Sequence, residues 1–308
     1  MTFSELIALY LFLGGTGAGA FAVLSAVDLF MAFRHARNPH ASRTPSDFVG
    51  CRSRSTTHRR IGMVVYSAAF IMIAVGLLCL LADLGRPQAF YLLFVYPTPS
   101  FMSIGAFALT LMTVCLIVAL AESVLVLGPA WERAALLAKG VGVVLAVIVM
   151  VYTGMLLHTV VAVSLWRSVW LPVLFLLSAL SCGIAVVLLG TCVCEGYQGA
   201  RRWLRALTAV DAVVIVVELI AAVAYAVTVD AANPSRPFAA MLFGDSSWLF
   251  WLGFVGCGMV APFALEIDAL FIRRSEGTGV AVTTAALVLI GGICLRFALV
   301  IAGIQTAV

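Results

Sequence analysis

The chain has 308 residues, is 64% hydrophobic and carries only 10% charged residues, against roughly 25% in soluble domains. That excludes a soluble globular protein and points to an all-α, polytopic integral membrane protein. The formal net charge of +4 gives no reason to expect nucleic acid, because the basic residues are segregated by loop.

Apolar runs of about 20 residues read as membrane-spanning helices. Eight such runs predict helices over about 5–33, 61–83, 100–127, 136–160, 169–194, 206–229, 247–271 and 279–304. They are expected to form one integral membrane domain over 1–308, built as two four-helix bundles. The first run is long enough to span and has no basic stretch before it, so it reads as a helix and not as a cleavable leader.

Helix 1 carries Gly14-Gly-Thr-Gly-Ala-Gly19 in its first half and Asp28 near its end. Small residues let helices approach closely in lipid. The following segment, 34–60, mixes Arg, Ser, Thr and His and reads as a solvated loop near anionic headgroups. Helix 2 ends at Asp83-Leu-Gly-Arg-Pro87, where Gly85 and Pro87 favour a sharp turn. Irregular backbone at that depth needs to be buried in protein or to line a polar cavity. Helix 3 carries Glu122, and Arg133 and Lys139 are assigned to the loop after it. Helix 4 holds Tyr152 and His158. Trp166, Trp170 and Pro172 suit an interfacial belt at the start of helix 5. Helix 6 has Asp211 and Glu218 on one face, helix 7 has Glu266 and Asp268, and helix 8 has Arg296.

Fourteen of the eighteen basic residues fall in the loops after helices 1, 3, 5 and 7. The positive-inside rule then puts these loops in the cytoplasm and both termini outside the cytoplasmic membrane. The turn at Asp83 and Arg86 faces outside.

Ionisable groups within spans are expensive and read as functional by default. Asp28, Glu122, Asp211, Glu218, Glu266, Asp268 and Arg296 have two readings. In one they pair to hold helices together, for example Glu218 with Arg296. In the other they form part of a proton path toward an outward-facing pocket. Of the four histidines (35, 40, 58 and 158), only His158 lies at the outer side. A membrane haem needs two facing imidazoles, so no haem is expected. The eight cysteines contain no C-x-x-C, so no iron–sulfur cluster or other metal site is expected in this chain.

Taken in order, several motifs resemble the NrfD/polysulfide reductase membrane-subunit family. They are Gly14-Gly-Thr-Gly-Ala-Gly19, Asp83-Leu-Gly-Arg-Pro87, Ser100-Phe-Met-Ser103, Tyr152-Thr-Gly154, Leu171-Pro-Val-Leu-Phe175 and Gly291-Gly-Ile-Cys-Leu-Arg296 with Gly303. The resemblance runs from residue 5 to about residue 304. It implies the quinone-reactive subunit of a respiratory oxidoreductase, binding menaquinone or ubiquinone near the outer face without haem or metal. It also implies a docked iron–sulfur subunit of the four-cluster ferredoxin type and a catalytic subunit, often molybdopterin-containing or a multihaem cytochrome. By the same resemblance Gly14, Thr16, Gly17, Asp83, Arg86 and Tyr152 surround the quinone headgroup. A phenol such as Tyr152 can donate a hydrogen bond to a quinone oxygen. His158 is the natural proton acceptor, since imidazole changes charge near neutral pH. Two other readings stand beside this one: a proton-coupled transporter, which predicts helices broken at mid-membrane in both halves, and a passive membrane anchor.

Overall fold

The structure is a computed structural model that describes residues 5–37, 45–83, 101–125, 128–160, 163–232, 237–244, 247–269 and 278–306. Among them there is no strand. The α-helices are α1 (Glu5–Arg37), α2 (Pro45–Asp83), α3 (Phe101–Val124), α4 (Pro129–His158), α5 (Trp170–Ala232), α6 (Pro237–Phe243), α7 (Ala261–Ile267) and α8 (Thr278–Thr306). A 3-10 turn covers Ser164–Trp166, and a π-helix, Leu249–Val260, leads into α7. Among the described residues, eight stretches are long and apolar enough to cross a membrane: Glu5–Arg34, His58–Asp83, Ser103–Val124, Ala130–His158, Trp170–Cys194, Trp203–Ala231, Leu249–Ile267 and Thr278–Ile304. The protein is therefore the expected all-α, multi-pass membrane fold.

Two helix starts correct the sequence reading. α4 begins at Pro129, after Gly128 in extended conformation (φ −70°, ψ 172°). Proline is at home in the first helical position, where its missing N–H would have no partner anyway. Lys139, counted with the loop although the predicted helix ran from about 136, lies ten residues into a spanning helix. α2 likewise opens at a proline, Pro45, so much of the supposed loop over 34–60 is helical. His58 thereby lies at the start of the second span.

Helical hydrogen bonding is assigned without a break from Trp170 to Ala232. Sixty-three residues of straight helix would reach about 94 Å at the standard rise. Yet the hydroxyls of Ser168 and Thr228 are 3.3 Å apart, and Tyr225 donates to the Leu165 carbonyl at 2.7 Å. The polypeptide therefore reverses between the fifth and sixth spans, which run antiparallel.

The first four spans close into a ring through α1–α2, α2–α3, α3–α4 and α4–α1 contacts. The π-helix, α7 and α5 pack on α8 to make the second group. α1 and the fifth span form the seam. Glycine makes this possible: a methyl on Gly19 would overlap the Ala179 carbonyl, and one on Gly183 would overlap the backbone of Gly19. Close backbone approach at small residues is the main route to helix association in lipid, where water drives no apolar burial. A second contact of this kind joins Gly258 of the π-helix to Gly291 of α8.

Candidate functional site

Three polar clusters lie along the axis of the bundle. At the end nearest Arg34, Arg59 and Arg60, Asp28 of α1 is the hub. Its Oδ1 is 2.6 Å from His58 Nε2, and its Oδ2 accepts from the Tyr66 hydroxyl at 2.9 Å and from Lys139 Nζ at 2.6 Å. The same ammonium reaches Glu122 Oε2 at 2.7 Å and lies 5.6 Å from the centre of the Tyr66 ring. The side chains of Lys139 and Asp28 are only 8% and 11% exposed. Charges enclosed this far require such pairing. Asp28 and Glu122 were legible in the sequence as candidates. Lys139, His58 and Tyr66 were missed; Pro129, ten residues before Lys139, was the available signal.

The second cluster lies at the seam near mid-span. Arg296 is fully enclosed. Its Nη1 donates to Ser178 Oγ at 2.5 Å and to the Gly292 carbonyl at 3.0 Å, and its Nη2 donates to the Phe175 carbonyl at 3.4 Å. Its guanidinium sits over the Phe175 ring at 5.1 Å. Glu218 is a neighbour of Ser178, and the expected Glu218–Arg296 pair is not among the ion pairs of the described residues; Arg296 is held by Ser178 and two carbonyls instead. Asp211 lies against Ser181 and Glu266, and all three are buried. The Thr16 hydroxyl faces the Cys182 thiol. Ser178, Ser181 and Cys182 recur at the spacing of one helix face, a signal the sequence offered and that went unread. The cleft lined by Ser178, Ser181, Cys182, Glu218, Phe254, Gly258 and Gly292 leaves no room for a water molecule. Asp268 is half-buried just beyond the seventh span.

The third cluster lies at the opposite end. The Tyr152 ring lies flat on α3 at Gly105, where a methyl would overlap it. Tyr10 of α1 is its neighbour. The Tyr10 ring in turn rests beside Gly14 and Gly76, at 3.6 Å from the position of a methyl on either. Tyr10 is 2% exposed, while Tyr152 keeps a partly exposed edge. His158, also half-buried, has Nδ1 3.3 Å from the Trp166 carbonyl. Trp166 is fully enclosed, donates to the Leu299 carbonyl at 2.9 Å and lies on Gly303. It belongs to the core and not to an interfacial belt, because the glycine opens a slot for its ring.

The residues singled out for a quinone divide by exposure. Gly14, Thr16 and Gly17 are buried; Gly17 faces Ile73 and the Ala69 carbonyl of α2. Asp83 and Tyr152 retain accessible surface. Arg86 lies outside the described residues, as does most of the segment after Asp83. The partly accessible donor of this set on a spanning helix is Tyr152, and a phenol suits a ligand that presents a carbonyl oxygen.

The family model described as "Polysulphide reductase, NrfD" matches residues 1–308. The sequence is 28% identical over 319 residues to Protein NrfD of Escherichia coli (strain K12), covering 96% of this protein and 93% of that one. It is 30% identical over 314 residues to a component of the polysulfide reductase of Wolinella succinogenes, covering 96% and 92%. It is 26% identical over 289 residues to a component of the selenate reductase of Mesobacillus selenatarsenatis, covering 79% of this protein and 65% of that one.

Proposed function

The chain belongs to the polysulphide reductase NrfD family, and from that premise we propose that it is the membrane subunit of a respiratory reductase complex, oxidising quinol at the Tyr152 end. Relatives named as parts of selenate and polysulfide reductases support membership of such a complex. The observation that carries the quinol reading is the Tyr152 phenol, partly accessible and fixed on Gly105. Menaquinol or ubiquinol supplies the redox chemistry: its oxidation to the quinone releases two electrons and two protons.

The protein's own residues then have separate tasks. Tyr152 donates a hydrogen bond to one ring oxygen and orients the ring. His158, two turns along the same helix, accepts a released proton. Gly14, Thr16 and Gly17 form the packed wall of helix 1 behind the site, and Asp83 with Arg86 forms its rim. The electrons leave to a docked four-cluster iron–sulfur subunit and from there to a catalytic subunit, of the molybdopterin or multihaem kind. Both partners sit on the outer face, the side of both termini, since the arginine-rich loops mark the cytoplasm.

The two inner clusters suit a proton route. Asp28 and Glu122 form its cytoplasmic stage, and Asp211, Glu218, Glu266 and Arg296 form the middle stage, with Asp268 at the rim. A transporter would call for helices interrupted in both halves. The first four spans are unbroken α-helix among the described residues, and only the seventh departs from α geometry. That favours the redox reading. A passive anchor makes no use of an accessible phenol at the site.

The test is Tyr152→Phe in the assembled complex. Quinol-dependent reduction of the partner is expected to fall at least tenfold, with the partner's own activity toward artificial electron donors intact. Unchanged turnover with an unchanged KM for quinol would overturn the assignment.

A further inference from the structure

The polar cluster at the arginine-rich end carries an imbalance of charge. Two carboxylates, Asp28 and Glu122, share one ammonium, Lys139, at 2.6 Å and 2.7 Å. Among the described residues no other lysine or arginine is paired with either acid. The set is therefore one positive charge short. Excess charge held away from water is costly. Tyr66 donates a hydrogen bond to Asp28 at 2.9 Å, but a phenol brings no charge. The group placed to supply it is His58, whose Nε2 lies 2.6 Å from Asp28 Oδ1.

Exposure falls from His58 inward. Its side chain is 40% exposed, that of Asp28 is 11% exposed and that of Lys139 is 8% exposed. The imidazole thus has one side in water and the other on a carboxylate inside the bundle. Helix α2 makes that placement, because it starts at Pro45 and is already helical where His58 meets Asp28 near the end of α1. Imidazole gains and loses a proton near neutral pH, and its two nitrogens can serve two different partners. Arg34, Arg59 and Arg60 are exposed at the same end, but guanidinium groups do not give up protons in proteins.

We propose that His58 is the loading residue of a one-proton site at the cytoplasmic end, exchanging a proton with water on one side and with Asp28 on the other. A proton from water adds to Nδ1. The imidazolium then passes its Nε2 proton to Asp28 Oδ1 and is left neutral, with the new proton on Nδ1. Lys139 keeps Glu122 as its partner while Asp28 is protonated, so the ammonium is never left alone. The assignment rests on Asp28 and Glu122 being the cytoplasmic stage of a proton route, and it adds the group through which water reaches them.

The experiment uses the intact complex in sealed vesicles, with quinol, an artificial electron acceptor on the outer side and a pH dye on the cytoplasmic side. Protons released by quinol on the outer face do not reach the dye, so it reports only protons that cross. The rate is measured per quinol oxidised and per assembled complex in the parent, His58→Gln, His58→Lys and Asp28→Asn. Glutamine keeps a hydrogen-bond donor for Asp28 and cannot take up a proton. Lysine supplies the missing charge as a fixed one, since an ammonium in water holds its proton at neutral pH. His58→Gln is expected to slow proton movement about tenfold or more, the scale of a lost acid–base group. Free imidazole added on the cytoplasmic side should restore it. His58→Lys is expected to assemble like the parent and to be as slow, so it serves if His58→Gln reduces the yield of complex.

A His58→Lys protein that moves protons like the parent would show that a fixed charge suffices, and would overturn the proposal. A loss in His58→Gln that imidazole leaves unrepaired would overturn it as well. Normal proton movement in His58→Gln beside a loss in Asp28→Asn would overturn the role of His58 and leave the route standing. No crossing protons in the parent, or an unchanged rate in Asp28→Asn, would overturn the route and the inference with it.

Discussion

Lys139 Nζ lies 2.6 Å from Asp28 Oδ2, joining two helices across 111 residues of sequence. The same ammonium also holds Glu122 of α3, at 2.7 Å. One cation therefore ties α1, α3 and α4 together, with Asp28 11% exposed and Glu122 28% exposed. Removing one partner of a buried ion network leaves uncompensated charge, which costs more than the network itself contributes.

Lys139→Met is accordingly expected to destabilise the protein by about 3 kcal/mol. Adding Asp28→Asn and Glu122→Gln should recover much of the loss, because no bare carboxylate then remains. Thermal unfolding in detergent checks both steps. An unchanged Tm for Lys139→Met would show that the carboxylates find other partners.

Ser178 is the next test, because it stands between Arg296 and Glu218. Ser178→Ala removes an acceptor from a fully enclosed guanidinium. The expected loss is about 1–3 kcal/mol, the range for a buried polar group left without its bond. Arg296→Lys should lose more, since a single ammonium cannot serve Ser178, Gly292 and Phe175 together as the planar fork does. Denaturation midpoints of the two variants rank them.

Gly105→Ala probes the seat of Tyr152. The added methyl overlaps the ring, so the phenol must move off its position. Quinol turnover is expected to drop about tenfold, a scale typical of small misplacements at reacting centres. Gly140→Ala is the control: nothing lies within 4 Å of a methyl there. It should leave turnover unchanged and stabilise α4 by about 0.5–1 kcal/mol. Equal effects of the two substitutions would argue against a specific seat.

Gly183→Ala tests the seam. A methyl there collides with the backbone of Gly19, and backbone cannot turn aside as a flexible side chain can. The expected cost is about 1–3 kcal/mol from overpacking, seen as a lower Tm and a poorer yield of folded protein. Gly279→Ala, in open space, should show neither.

The sequence by itself determined that the protein is helical and has eight runs long and apolar enough to cross a membrane, with most ends placed to within a few residues and the start of the fourth set six residues too late. That information is local: twenty apolar residues in a row satisfy their own backbone as helix and need no neighbour to do it. It also exposed the acids at 28, 122, 211, 218 and 266, since a carboxylate in an apolar run stands out without reference to any partner. Only the tertiary structure decided which groups meet. Lys139 looked like a loop cation until Pro129 was seen to start the helix, and its partners lie on two other helices. Ser178 looked like an ordinary small polar residue, yet it accepts from the enclosed guanidinium of Arg296, 118 residues away. The glycines of helix 1 looked like one smooth surface. Packing divides them, with Gly14 beside Tyr10, Gly17 against Ile73 and Gly19 against Ala179. The last two of these contacts join helices far apart in sequence, so no local pattern announces them.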